Sequence, residues 1–334
     1  MISRHKALPT VLVTGCPRSG TTAIGDILAA SPGAQYLYEP LNYVTGDKQV
    51  AHFFEVPESF GEKQGDFARF AERVRTLDLN MKRGVSMRDP AGMAFLKRFT
   101  GGRSRVSLLK CKLTPGLRTL VWKDPFASFA THFFSSQEYP VPTIVTVRSI
   151  YATAASFKRL GWGFDLISLY DRLAGAGRRP VLPRGLLNIP NGAINGAALW
   201  ILLYSDVATA LEEYPQNIRI VNTDEVIRDP LRCYEKMFDW LGMDLTPTIH
   251  AKIKSTYRVK TDAPEIPGQR AHTRNRDLSK ASSYWQSVLT SGEVETIDEL
   301  VRISRNHATL QRLTAARSSS GAFDTHASEG VRMV

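Results

Sequence analysis

The stretch TVLVTGCPRSGTT, residues 10–22, constrains this chain more than any other. TVLVTG is apolar on both faces, which suits a strand buried in a parallel sheet. GTTAIGDILAAS (20–31) carries Ile24, Ile27 and Leu28 at helical spacing, and AQYLYEP (34–40) reads as a second strand stopped by Pro40. Strand, loop, helix, strand is a βαβ unit, so the expected fold class is α/β, with a central, mainly parallel sheet flanked by helices. A loop that leaves a strand and enters a helix aims several N–H groups at one point, where the helix dipole adds positive potential. Gly15 and Gly20 let an anion approach the backbone, and Ser19, Thr21 and Thr22 add hydroxyl donors. A bare βα turn needs neither three hydroxyls nor an arginine. Pro17, Arg18, Ser19, Gly20, Thr21 and Thr22 are therefore the expected contacts of a phosphate or sulfate.

The spacing is that of a P-loop, G-x-x-x-x-G-K-[ST], with one change. Thr21 stands where the lysine belongs, and the positive charge sits earlier, at Arg18. No apolar strand ends in a clear Mg²⁺-holding Asp; VNTD (221–224) is the nearest. A metal-dependent triphosphate site is not expected, and no metal is. The net charge of +11 favours an anionic partner. Three scattered cysteines give no disulfide or zinc spacing. The opening MISRHKALPT has no apolar signal core, and AALWILLY (197–204) is too short to span a bilayer. The reading is a cytoplasmic protein without a transmembrane segment.

VPTIVTVRS (141–149) is a further buried strand, and IYATAASFKRLG is a helix that stops at Gly161. Arg148 at the strand end and Ser156 eight residues later in the helix can grip a dianionic phosphate. VSLLKCKL (106–113) and LRTLVWKDP (117–125) read as short strands, RFTGGRSRV and LAGAGRRPVLPRG as loops, and 193–213 as a long helix. NIRIVNTDEVIRDP gives a strand and an acidic turn, and LRCYEKMFDWLG an amphipathic helix capped by Gly242. Beyond about 250 the chain turns polar and basic until a helix near its end. The expected organisation is an extension (1–9), one α/β domain (10–312) with an insertion at 44–105 forming an acceptor pocket, and a disordered tail (313–334).

PRSGTT resembles the 5′-phosphosulfate loop of sulfotransferases that use 3′-phosphoadenosine 5′-phosphosulfate (PAPS), where the position of Arg18 holds Lys or Arg. The Arg148–Ser156 pair resembles that family's 3′-phosphate signature. VWKDP is similar to the K-x-P element of its bacterial and carbohydrate members, VNTDEVIRDP to a late segment of the fold, and SSYWQSVLTSGEVETI to the C-terminal Trp segment. The basic loop before that segment, with Arg274 and Arg276, is implied to close over the cofactor. The resemblance runs from about residue 10 to about 300 and has no counterpart for 44–105. It implies PAPS as donor and PAP as product.

Sulfuryl transfer needs in-line attack, removal of the acceptor's proton and stabilisation of charge on the leaving phosphate. Arg18 suits the last role, and Lys123 is a second cation, free to approach or held in an ion pair with Asp124 or a neighbour. Glu39 ends the strand after the first helix. If that strand neighbours the first, its carboxylate lies beside Arg18 and can act as base, or as an ion pair holding Arg18 or another loop residue. LYEPL also resembles the segment of carbohydrate 6-O-sulfotransferases whose Glu is a proposed base, which implies a sugar-containing acceptor, although a small-molecule acceptor also fits. His132, in ASFATHFF, is the other base candidate, though a lone His on such a helix reads as packed core. The basic runs 101–105 and 178–184 read either as a grip for an acidic saccharide or as solvated surface. Other readings are a nucleotide kinase, a nucleic-acid-binding protein, which the placement of arginines at strand ends and loops disfavours, and a PAP-binding member without catalysis. The oligomeric state stays open.

Overall fold

A computed structural model describes residues 7–63, 65–83, 102–137, 140–258, 283–304 and 310. Five strands, β1 (Thr10–Gly15), β2 (Ala34–Tyr38), β3 (Thr119–Lys123), β4 (Thr143–Val147) and β5 (Ile218–Asn222), form one sheet in the order β2-β3-β1-β4-β5. Every pairing is parallel, with Thr10 beside Leu120, Leu12 beside Thr143, and Tyr38 beside Lys123. The strand expected to neighbour β1 does not: β3 lies between β1 and β2. The apolar pattern of β3 gives no hint of which partner it takes, so the order is fixed by packing rather than by local sequence.

The helices are α1 (Thr21–Leu28), α2 (Asp66–Arg75), α3 (Arg103–Leu113), α4 (Thr131–Ser135), α5 (Ile150–Leu160), α6 (Leu166–Gly175), α7 (Gly192–Glu213), α8 (Thr223–Arg228), α9 (Pro230–Leu241), α10 (Pro247–Tyr257) and α11 (Ser291–Ile303). Alternation along the strands sends side chains to two cores. Val11, Val13, Val121 and Ile144 meet α1, α9 and α10 on one face. Leu12, Trp122, Val145 and Leu37 meet α2, α5, α6 and α7 on the other. With both faces covered, near-continuous apolar strands are what the sheet requires. The described part of 44–105 joins the second core through Phe54, Phe60, Phe67 and Phe70. α7 is long and apolar enough to cross a bilayer, yet 83% of its most apolar window is buried inside the protein.

Three local expectations are corrected. VSLLKCKL is not a strand, and RSRV is not loop; both belong to α3. Ser104, Ser107, Leu108 and Cys111 are its buried face, so small side chains occupy three of the four inward positions while Val106 and Leu109 point out. Leu173–Gly175 continue α6 for a last turn rather than opening a loop. The polar stretch past 247 holds α10, begun by Pro247 and by Thr246, whose hydroxyl accepts from the Ile249 N–H at 3.4 Å.

α3 runs along the free edge of β2. The Ser107 hydroxyl accepts from Tyr38 N–H at 2.9 Å, and the Cys111 thiol donates to the Tyr36 carbonyl at 3.6 Å. The Tyr36 N–H donates to the Gln35 side chain at 3.0 Å.

Candidate active site

The chain turns left from β1 to β2 and, later, right from β3 across β1 to β4, so α1 and α5 leave neighbouring strands on opposite faces. The crevice beyond the carboxyl ends of β1 and β4 is the switch point at which open α/β sheets bind ligands.

On its β1 side stands the loop Cys16–Gly20. Gly15 has φ 136°, and a side chain there would collide with the Thr146 carbonyl; Gly20, capping α1 with φ 97°, would bring a Cβ to 2.6 Å from Thr223. Both positions require glycine. Hydroxyls lock the loop to the sheet: Thr14 with Ser128 (2.9 Å), Ser19 with Thr146 (2.5 Å), and Tyr204, which donates to the Thr146 carbonyl at 2.6 Å while accepting from the Cys16 N–H at 3.1 Å. Ser19 is wholly buried, so its hydroxyl serves this lock. The Ser19 N–H closes a turn onto the Cys16 carbonyl at 3.0 Å. The Cys16 thiol is also fully buried, and desolvation pushes its pKa far up, which removes it as a nucleophile. Pro17 is buried, Thr21 nearly so, and Thr22 is exposed on the first turn of α1.

Arg18 takes the left-handed conformation, φ 78°, uncommon for a residue with a side chain and often found at functional sites. Its Nε donates to the Ser156 hydroxyl at 3.2 Å. The two phosphate-binding segments read from the sequence therefore meet, although 138 positions separate these residues. Arg148 immediately follows β4, and its carbonyl accepts from the Trp200 indole at 2.9 Å, which ties this strand end to α7. Arg274 and Arg276 lie outside the described residues.

The carboxyl ends of β2 and β3 are built on charge. Glu39 follows β2 with φ 47°, again left-handed, and its N–H donates to the Lys123 carbonyl at 2.9 Å. Its carboxylate pairs with the Lys123 ammonium and accepts from the Asn42 amide at 2.7 Å. Glu39 and Lys123 are 6% and 2% exposed, so this is a buried pair. Lys123 also lies 4.6 Å from the centre of the Tyr38 ring, a cation–π contact. Lys123 is in register with Val13 of β1, and because β3 stands between β2 and β1, Glu39 does not end a strand next to the loop as the sequence suggested. Next to it, buried Asp124 accepts from Leu41 N–H (2.6 Å), Phe126 N–H (3.0 Å) and the Trp122 indole (3.2 Å). Desolvation, with the charge of Glu39 behind it, pushes the Asp124 pKa up to about 7 against those donors. The alternative partner for Lys123, Asp124, is thus engaged by backbone and indole instead.

His132 is not packed core: it is part-exposed and meets Glu213 at 2.9 Å, at the far end of α7. Of the 178–184 run, Arg178 is largely buried and pairs with Asp206 (2.8 Å) and Glu58 (2.9 Å), whereas Arg184 pairs with Asp171 (2.7 Å) on the exposed surface. Sequence reasoning missed the Lys123–Glu39 pairing and the Tyr204 anchor; the signal for the first was a Lys at a strand end, for the second nothing but a Tyr inside an apolar helix. A cleft lined by Thr10, Glu72, Arg75 and Trp122 opens at the amino end of β1, opposite the loop. Among the described residues no group of three or more His, Cys, Asp or Glu side chains is placed to hold a metal.

Parallel sheet, glycine loop and switch-point crevice define an α/β protein whose β1 loop and α1 N-terminus stand beyond the carboxyl end of the sheet, the place where such folds receive anions. No family model matches the chain. It is 23% identical over 312 residues to nodulation protein NoeE of Sinorhizobium fredii; the match takes 88% of this chain but spans only 64% of that relative. Among solved structures it is similar to the sulfotransferase domain of the curacin biosynthetic pathway, at 15% identity over 89% of this chain and 98% of that one, with a TM-score of 0.42. Mouse sulfotransferase SULT7A1, solved with PAP, gives 15% identity over 94% and 91%, with a TM-score of 0.41. Sulfotransferase STF1 of Mycobacterium tuberculosis gives 15% over 76% and 72%, with a TM-score of 0.39.

Proposed function

We propose that this protein is a sulfotransferase that moves a sulfuryl group from PAPS to a hydroxyl of an acceptor and releases PAP. The observation that carries the reading is the Arg18–Ser156 contact at 3.2 Å, which joins the β1 loop to the helix after Arg148. A donor with phosphate at both its 5′ and 3′ positions suits two anion sites that share one crevice. The loop N–H groups and the hydroxyls of Thr21 and Thr22 hold the 5′ end, with Pro17 and Gly20 shaping the turn, while Arg148 and Ser156 hold the 3′-phosphate. Arg274 and Arg276 complete this grip in the proposal.

Arg18 faces the charge that grows on the leaving phosphate as the S–O bond to the donor breaks. Glu39 accepts the acceptor's proton as the new S–O bond forms. In the structure that carboxylate is paired with Lys123. The acceptor is assigned to the sugar-containing class, with the segment after Glu39 on its side of the crevice. The setting proposed is the cytoplasm.

Titration of PAP against ATP, each with and without a chelator, tests the reading. PAP stabilises the protein against heat, the chelator changes nothing, and ATP is clearly weaker. Equal affinity for ATP, or binding that vanishes with the chelator, overturns it and favours a nucleotide kinase. A protein that binds PAP yet turns over no acceptor is a PAP-binding relative without catalysis.

A further inference from the structure

On the surface of α3, Val106, Leu109 and Leu113 are 39%, 56% and 71% exposed. Their spacing of three and four puts them in one stripe, directly opposite the buried face of the helix. At 100° per residue Arg103 and Lys110 border the stripe on one side, Arg105 and Lys112 on the other. The helix contains no carboxylate. The Thr45 hydroxyl meets that of Ser104 at 2.9 Å, which fastens the neighbouring loop to α3. That loop adds Tyr43 and Val44, 45% and 43% exposed. Three of the large apolar side chains exposed among the described residues thus form one stripe on α3, and cations frame it.

We infer that this surface docks the protein onto an anionic lipid bilayer, with the apolar stripe of α3 entering the interface and the flanking cations meeting acidic headgroups. Apolar side chains bounded by Lys and Arg are the pattern of helices that lie in a membrane interface. A second copy of this chain fits poorly, because it would set its own cations against these, and the chain carries +11 overall. The inference does not rest on the proposed reaction.

Flotation with vesicles tests this, using the full-length protein. Vesicles of phosphatidylcholine containing phosphatidylglycerol carry the protein upward at low salt, and pure phosphatidylcholine does not. Each lysine near the surface is worth about fivefold in partitioning, so Lys110→Gln with Lys112→Gln lowers it by about 25-fold. Leu109→Ser with Leu113→Ser lowers it by about tenfold or more. Both double variants keep the parental melting temperature, since all four side chains are exposed. Failure to bind anionic vesicles, equal binding to neutral ones, or variants that bind like the parent would each overturn the inference. So would sedimentation showing a parental dimer that Leu109→Ser and Leu113→Ser dissociate, which would make the stripe a contact between copies.

Discussion

The two halves of the sheet's carboxyl edge are made of different materials. The β1–β4 side is a scaffold of glycines, backbone N–H groups and neutral hydroxyls, in which Ser19, Thr146 and Tyr204 are satisfied by one another. The β2–β3 side is a buried ion pair, Glu39 with Lys123, next to a buried carboxylate. In the neutral scaffold the cation, Arg18, donates to a neutral hydroxyl, that of Ser156. An ion pair binds its members to the fold. The same kind of substitution therefore has opposite meanings on the two sides: on the first it reads function, on the second it reads function and stability together.

The largest effect expected is Lys123→Met, which leaves Glu39 buried without a counter-charge. Breaking such a pair costs about 3–5 kcal/mol, and urea unfolding will measure it. Pairing that change with Glu39→Gln returns most of the stability. If Glu39 is the base, the double variant stays inactive despite its recovered fold; active double variant would break the distinction drawn here and leave Glu39 a structural ion pair.

Next in size, Arg18→Ala lowers turnover by about 100-fold while the unfolding midpoint hardly moves. A collapse of stability in this variant would show that the β1 side is held by charge after all. Within that side, Arg148→Ala weakens PAP binding by about 1.5–3 kcal/mol and Ser156→Ala by about 1, measured by calorimetry. Parental affinity in both would unseat the second phosphate site.

The smallest effect lies behind the crevice, where Glu293 joins α11 to the helix that carries Ser156. Burial pushes its pKa up, but hydrogen bonds from Lys158 (2.7 Å), Thr290 N–H (2.8 Å) and Asn191 (3.1 Å) outweigh it, and the pKa is lowered to about 2. A carboxyl depressed in the folded state stabilises above its unfolded pKa, near 4.5, and loses that contribution as pH falls toward about 2. The melting difference between parent and Glu293→Gln is therefore complete above pH 4.5 and fades below it. A difference that holds constant down to pH 2 would remove the carboxylate from this role.

The contrast also explains what was legible in the sequence. The β1 loop is a local object: glycines, hydroxyls and arginine sit within a few residues, and helix α1 follows directly. The parallel sheet and most helices follow from periodicity. Glu39 could be placed at a strand end, but its partner is 84 positions away, and nothing local announces that β3 will come between β2 and β1. α3 misleads for a different reason. Its larger apolar residues face out while serine and cysteine face in, so a reading that sends apolar residues to the core assigns the wrong period. His132 misleads likewise, because its partner Glu213 comes from another helix.

The covering of β2 by α3 has a consequence for how molecules of this protein meet. An uncovered edge strand is a template on which another chain can add itself by main-chain pairing, the usual beginning of sheet-to-sheet polymers. Here the outward N–H groups of Tyr36 and Tyr38 are already spent on Gln35 and Ser107. Small inward side chains are what bring the helix close enough to do so. Replacing Ser107 with a bulky apolar residue would lift α3 and reopen the edge, and concentrated solutions would then lose protein to fibrous aggregates long before the sheet itself unfolds.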